Sequence, residues 1–185
     1  MGEAYAIARC LPIPPLWYAA VVTSLSQERR AKVERLLATA AAWASRRDDI
    51  AAVALVDSWA RDAAGRDSDV DLVVLADRPR QLLDDPIWPR ELGARTVLPP
   101  VSRGVLVERR LVLADGLELD VGIAPTVWAA ADPIDEGTRR VVDDGLRILY
   151  DRDGLLAALR RTCAASGAGS REPVVNSGGP REPRS

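Results

Sequence analysis

The chain has 185 residues, 25 basic and 27 acidic side chains and 48% apolar residues. That suffices for one ordinary core, but the charge is too balanced for the clustered basic face that holds nucleic acid strongly. There is no histidine, which excludes Ser-His-Asp and Cys-His mechanisms and imidazole zinc ligation. A lysine-dependent phosphate loop is excluded too, because Lys32 is the single lysine and follows no glycine-rich segment. Cys10 and Cys163 stand in neither a metal nor a redox spacing, which fits a reducing cytoplasm.

Residues 1–23 contain an apolar stretch broken by Pro12, Pro14 and Pro15. It is shorter than the roughly 20 residues of a membrane span. With Glu3, Arg9 and the prolines it does not suit a signal peptide either. It reads as an N-terminal extension for packing or dimer contact, followed by a domain over 24–161. Ser24 and Gln27 have the capping-box spacing, and Val33, Leu36, Leu37, Ala40, Ala41 and Ala44 recur at helical intervals as far as Arg46 and Arg47. Ile50 to Val56 and Val70 to Ala76 are apolar runs of strand length, with a turn segment from Ser58 to Ser68 between them.

Residues 79–92 predict irregular or short helical structure, and 95–98 and 105–113 predict strands separated by Pro99 and Pro100. Ala114-Asp115-Gly116 is a tight hairpin loop into a strand over 117–123. Pro125 opens a helical stretch, and 136–144 is a further helix stopped by Gly145. A strand at 147–150 and a short helix at 155–161 complete the domain. From Ala164 onward Gly, Ser, Pro, Arg and Glu dominate, which predicts disorder; the tail is taken as 162–185.

Asp69-Val70-Asp71 opens a strand, so both carboxylates point to one face with their α-carbons roughly 6 to 7 Å apart. Like charges on one face repel unless a cation lies between them, and Mg²⁺ accepts oxygen ligands from carboxylates and substrate phosphates. Taken alone, Asp-x-Asp is also explained by an exposed strand end or an Asx-turn.

The context adds weight. An apolar strand, Ser58 with Ala60-Arg61 after it, and Ser68-Asp69-Val70-Asp71 with an apolar run behind them together resemble the DNA polymerase β-like nucleotidyltransferase superfamily. The resemblance runs from about Ile50 to Leu159 and is closest to small bacterial members. It implies an α+β nucleotidyltransferase fold, a mixed sheet of about five strands flanked by helices. It also implies a reaction in which a nucleoside monophosphate, AMP from ATP as the first choice, passes to a hydroxyl of an acceptor. By that resemblance Asp69 and Asp71 hold two Mg²⁺, and Asp120, between Leu119 and Val121, is the third carboxylate with Glu118 as its rival. Ser58 and backbone amides hold the β- and γ-phosphates. Arg61 either neutralises charge there or begins a helix. One of Arg109 and Arg110 approaches the nucleotide or acceptor, or pairs with Glu108 or Glu118. Trp59 stacks on a base or packs.

The pattern is broken at two places: Asp57 stands where the family has glycine before the serine, and Asp62 where a glycine often follows Ala-Arg. At an effective dielectric near 20, a carboxylate about 5 Å from a phosphate charge costs on the order of 3 kcal/mol, roughly a hundredfold in affinity. Either Asp57 turns away or helps bind a cation, or nucleotide binding is impaired. Three readings stay open: a transferase acting on a small hydroxylated acceptor, a minimal nucleotidyltransferase antitoxin acting on a partner toxin protein, and a catalytically impaired binding module.

Overall fold

The computed structural model describes residues 16–130 and 132–168. In chain order its elements are α1 (Leu16–Ser45), β1 (Ile50–Val56), α2 (Asp57–Ala60), β2 (Val70–Ala76), α3 (Pro79–Asp84), α4 (Trp88–Glu91), β3 (Ala94–Val97), β4 (Val101–Arg103), β5 (Leu106–Leu113), β6 (Glu118–Pro125), a 3₁₀ turn (Thr126–Ala129), α5 (Glu136–Asp143), β7 (Leu146–Asp151) and α6 (Leu155–Ala168). The strands form one mixed sheet in the order β3-β5-β6-β2-β1-β7, with β4 added beside β5. The α+β architecture is the expected one, with seven strands in place of about five. β2 and β6 run parallel, and the other pairings are antiparallel.

β1 and β2 are nearly unbroken apolar runs because both are central and covered on both faces. One face carries Val70, Leu72 and Val74 with Leu111, Leu119, Val121 and Ile123, packed with Val33, Leu37, Ala40 and Trp43 of α1. The other carries Val73, Leu75 and Ala124, packed with Leu156, Leu159 and Cys163 of α6. Strand side chains alternate, so Asp69 and Asp71 share the α6 face with Val73, as do Glu118 and Asp120 with Ala124. α6 lies over β1, β7 and the 3₁₀ turn, and Asp69 and Asp71 at the start of β2 remain half-buried.

Several elements differ from expectation. α1 begins at Leu16, ahead of the Ser24–Gln27 capping-box spacing, because Leu16 to Thr23 contains no proline or glycine to stop a helix. The expected strand over 105–113 is preceded by a separate short strand, β4, which folds back on β5 through Gly104 at φ +73°. Residues 79–92 do form the short helical structure expected there, as two helices each with proline in its first turn. α6 continues through Ala168 and buries Cys163, where disorder was expected from Ala164. The remainder of that tail, 169–185, and residues 1–15 of the extension lie outside the described residues. Among the described residues no helix is long and apolar enough to cross a membrane.

Candidate active site

The first component is the turn that follows β1. Asp57 and Asp62 both adopt φ of 57°, the left-handed region in which aspartate is among the better-tolerated non-glycine residues. The backbone therefore keeps a glycine-like path at both positions where the resemblance expects glycine. The Asp57 carboxylate turns to Arg61, with Nη1 to Oδ1 at 2.9 Å. Arg61 closes the single turn of α2 rather than beginning a helix: its N–H donates to the Asp57 carbonyl at 3.3 Å, and Nη1 donates to the Asp144 carbonyl. The Ser58 carbonyl accepts from the Ala63 N–H at 2.9 Å. Among the described residues the Ser58 hydroxyl has no hydrogen-bond partner.

The rest of the turn is pinned from the α1 side. Trp59 packs against the α1-face core and donates its indole N–H to the Ser68 carbonyl at 3.3 Å, so packing is its role here. Arg29 Nη2 donates to the same carbonyl at 2.8 Å, and the Ser68 hydroxyl accepts from Gly65 N–H at 2.9 Å. A groove of about 550 Å³ lies on this side, lined by Arg29, Arg30, Lys32, Trp59 and Arg66 among others. None of Asp57, Ser58, Arg61, Asp69, Asp71 or Asp120 lines it. Arg30 and Lys32 there already pair with Asp62 and Glu28.

The second component is an acid cluster. Asp71 of β2 stands directly opposite Asp120 of β6 in the parallel pair, and Arg110 of β5 stands opposite Asp120 in the antiparallel pair. Arg110 grips Asp120 by two bonds, Nε to Oδ1 at 2.8 Å and Nη2 to Oδ2 at 2.5 Å, the planar fork-to-fork geometry that arginine favours. Its Nη2 also reaches Asp69 at 3.1 Å and its Nη1 reaches Glu118 at 3.2 Å. Asp120 is buried, 8% exposed. Among the described residues the Asp71 carboxylate accepts no hydrogen bond and joins no ion pair. Burial, followed by the charges of Asp120, Asp57, Asp69 and Glu108, pushes its carboxyl up to about 6. Arg109 points to the opposite face, where Nη2 donates to the Leu83 carbonyl at 2.9 Å.

Two carboxylates thus stand on adjacent parallel strands, next to a turn with a glycine-like backbone, and residues 39–134, more than half of the chain, match the model of the nucleotidyltransferase domain. The chain belongs to the nucleotidyltransferase domain family. Comparison with curated proteins finds no match. The matched span contains α2, β2, β5 and β6, and with them every residue of the turn and of the acid cluster named above. Membership supports nucleotidyl transfer as the reaction class and a nucleoside triphosphate as substrate.

Nucleotidyltransferases of this family generally work with Mg²⁺. The donors here suit it in kind, being all-oxygen and strongly anionic, and Asp71 is a carboxylate with no cationic partner of its own. As the side chains stand, no three acidic, cysteine or histidine side chains among the described residues are placed to hold an ion. Asp69, Glu118 and Asp120 are instead gathered on one guanidinium. Sequence reasoning left Arg110 undecided between substrate and a glutamate partner. The signal that finds it is the hairpin: residues equally distant from Asp115 face each other, which sets Arg110 against Asp120.

Proposed function

We propose that this nucleotidyltransferase moves a nucleoside monophosphate, AMP from ATP in the first instance, to a hydroxyl of a small-molecule acceptor, as small bacterial members of the superfamily do. The observation that carries this reading is the gathering of Asp69, Asp71 and Asp120 at one end of β2 and β6, on the sheet face that α6 leaves open. In this reading Asp69 and Asp71 would hold two Mg²⁺ and Asp120 would complete the second site. When bound, the ions neutralise the triphosphate and make the acceptor hydroxyl a better nucleophile. The acceptor oxygen attacks the α-phosphorus in line, the bond to the β-phosphate oxygen breaks, and pyrophosphate leaves.

The chain's own residues do the positioning. The unpartnered Ser58 hydroxyl and the amides of the 57–63 turn hold the β- and γ-phosphates. Arg61 keeps Asp57 from facing them as a bare charge, which reduces the electrostatic cost of the missing glycine. Beyond Gly122 on the same face, a groove of about 620 Å³ lined by Leu106, Val127, Trp128 and Val141 among others offers an apolar wall for the acceptor. The placement is cytoplasmic, where ATP is abundant.

The impaired-module reading is favoured by one observation, the guanidinium that holds Asp69 and Asp120. The experiment is transfer of α-³²P-labelled nucleotides, with Mg²⁺, to a panel of hydroxylated small molecules and to proteins of neighbouring genes. Label on a small acceptor, lost in Asp69→Ala and Asp71→Ala, is the expected result. Label only on a protein replaces the small-molecule reading with the antitoxin one. No label, and no metal-dependent nucleotide binding, leaves the impaired module.

A further inference from the structure

One guanidinium serves three carboxylates in this site. Arg110 is bidentate to Asp120 and also bonds Asp69 and Glu118, while its own side chain remains 39% exposed and so has solvent into which it can withdraw. Removing it without replacement would leave Asp69, Asp71, Glu118 and Asp120 on one face with no resident positive charge, and like charges this close repel strongly. A divalent cation held by Asp71 together with Asp69 or Asp120 needs carboxylate oxygens that are now committed to Arg110. The two cations compete for the same oxygens.

We propose that Arg110 is a resident counter-cation that keeps the acid cluster assembled in the ligand-free protein and must release Asp120 and Asp69 for a divalent ion to enter, so that the ion binds well only together with the nucleotide. This rests on the reading of Asp69, Asp71 and Asp120 as metal ligands. The coupling follows from the balance of charge. A free ion must displace a bidentate arginine that is then left with Glu118 alone. An ion arriving with a triphosphate brings phosphate oxygens, and guanidinium groups bind these by the same forked geometry. Arg110 is thus a positioning residue, and its effect lies on metal affinity in the absence of any reaction.

The test is a Mn²⁺ titration of the whole chain followed by the electron paramagnetic resonance signal of free Mn²⁺, without nucleotide and then with a non-hydrolysable ATP analogue. Without nucleotide, Arg110→Gln binds Mn²⁺ at least tenfold more tightly than the wild type, and the double variant with Asp71→Asn loses that gain. Arg110→Lys, which keeps the charge but not the fork, falls between them and stands in if circular dichroism shows Arg110→Gln to be unfolded. With the analogue, the wild type tightens its hold on Mn²⁺ by a larger factor than Arg110→Gln does. Mn²⁺ affinity that Asp71→Asn weakens but that neither Arg110 variant raises overturns the role of Arg110 and leaves the metal site standing. Affinity indifferent to Asp71→Asn in every background overturns the metal-site reading itself.

Discussion

Asp57 carries two burdens: a left-handed backbone and a negative charge beside the acid cluster. Glycine adopts that φ without steric cost, and its loss of chain entropy on folding offsets part of the gain. Asp57→Gly should therefore change stability by no more than about 1 kcal/mol while removing a charge that bears on Asp71. The expected outcome is nucleotide affinity raised about tenfold, read by calorimetric titration of ATP with Mg²⁺; unchanged affinity means that Arg61 already cancels the charge fully. Asp71 makes a second prediction at this scale. Its carboxyl is raised to about 6 in the folded chain from an ordinary 3.8, so between those values the folded state holds a proton that the unfolded state releases. The stability this group contributes is complete below the lower value and is lost as pH rises through the upper one. Asp71→Asn should then melt higher than the wild type at pH 7.5. Allowing for solvent screening of a half-exposed group, the gain is about 1 kcal/mol, or about 2 to 4 °C. The difference should shrink as pH falls toward 4, and transfer activity should vanish at every pH. Paired thermal melts across that range measure it.

The hairpin of β5 and β6 ties the site to the sheet. Gly122 lies opposite Glu108, and a Cβ at 122 would come within 2.7 Å of the Leu106 side chain. Gly122→Ala should cost about 1 to 3 kcal/mol by overpacking, and Leu106→Ala in the same chain should recover most of it. Denaturant melts of the two single variants and the double variant give the coupling directly; additive losses exclude this contact as the cause. The element scale is also where sequence reasoning did best and worst. β1, β2, β5, β6 and the body of α1 were legible because burial leaves periodicity: unbroken apolar runs in β1 and β2, and helical recurrence from Val33 to Ala44. β4 was not legible, because its three residues are all exposed and leave no pattern to read. The start of α1 was missed for the opposite reason: Leu16 to Val22 is apolar throughout, and an unbroken apolar run reports neither period nor boundary. Strand alternation put Asp69 and Asp71 on one face, and Asp120, between Leu119 and Val121, was singled out by the resemblance. The contacts of Arg110 depend on a rotamer choice among four acids, which spacing does not encode.

Across the whole molecule, the turn after β1 is held by parts of the chain distant in sequence. β7 pairs with β1, the Asp57 N–H donates to the Gly145 carbonyl at 3.2 Å, and Arg61 donates to the Asp144 carbonyl. These last elements lie beyond the matched span of 39–134, yet they clamp the segment proposed to bind phosphate. Ligand binding to that turn is therefore coupled to global unfolding: a ligand that binds only the folded chain stabilises it by about 2.7 kcal/mol at a hundred times its Kd. For a chain of this size that corresponds to about 5 to 10 °C in Tm. ATP with Mg²⁺ should produce such a shift, and excess EDTA should abolish it by removing the ion proposed to join the triphosphate to Asp69 and Asp71. EDTA alone should leave the Tm of the nucleotide-free protein unchanged, since Arg110 already supplies the counter-charge there. A fall in Tm on adding EDTA alone would mean that the acid cluster relies on a resident metal for its stability. A nucleotide shift that survives EDTA would place the triphosphate on the turn without the carboxylates.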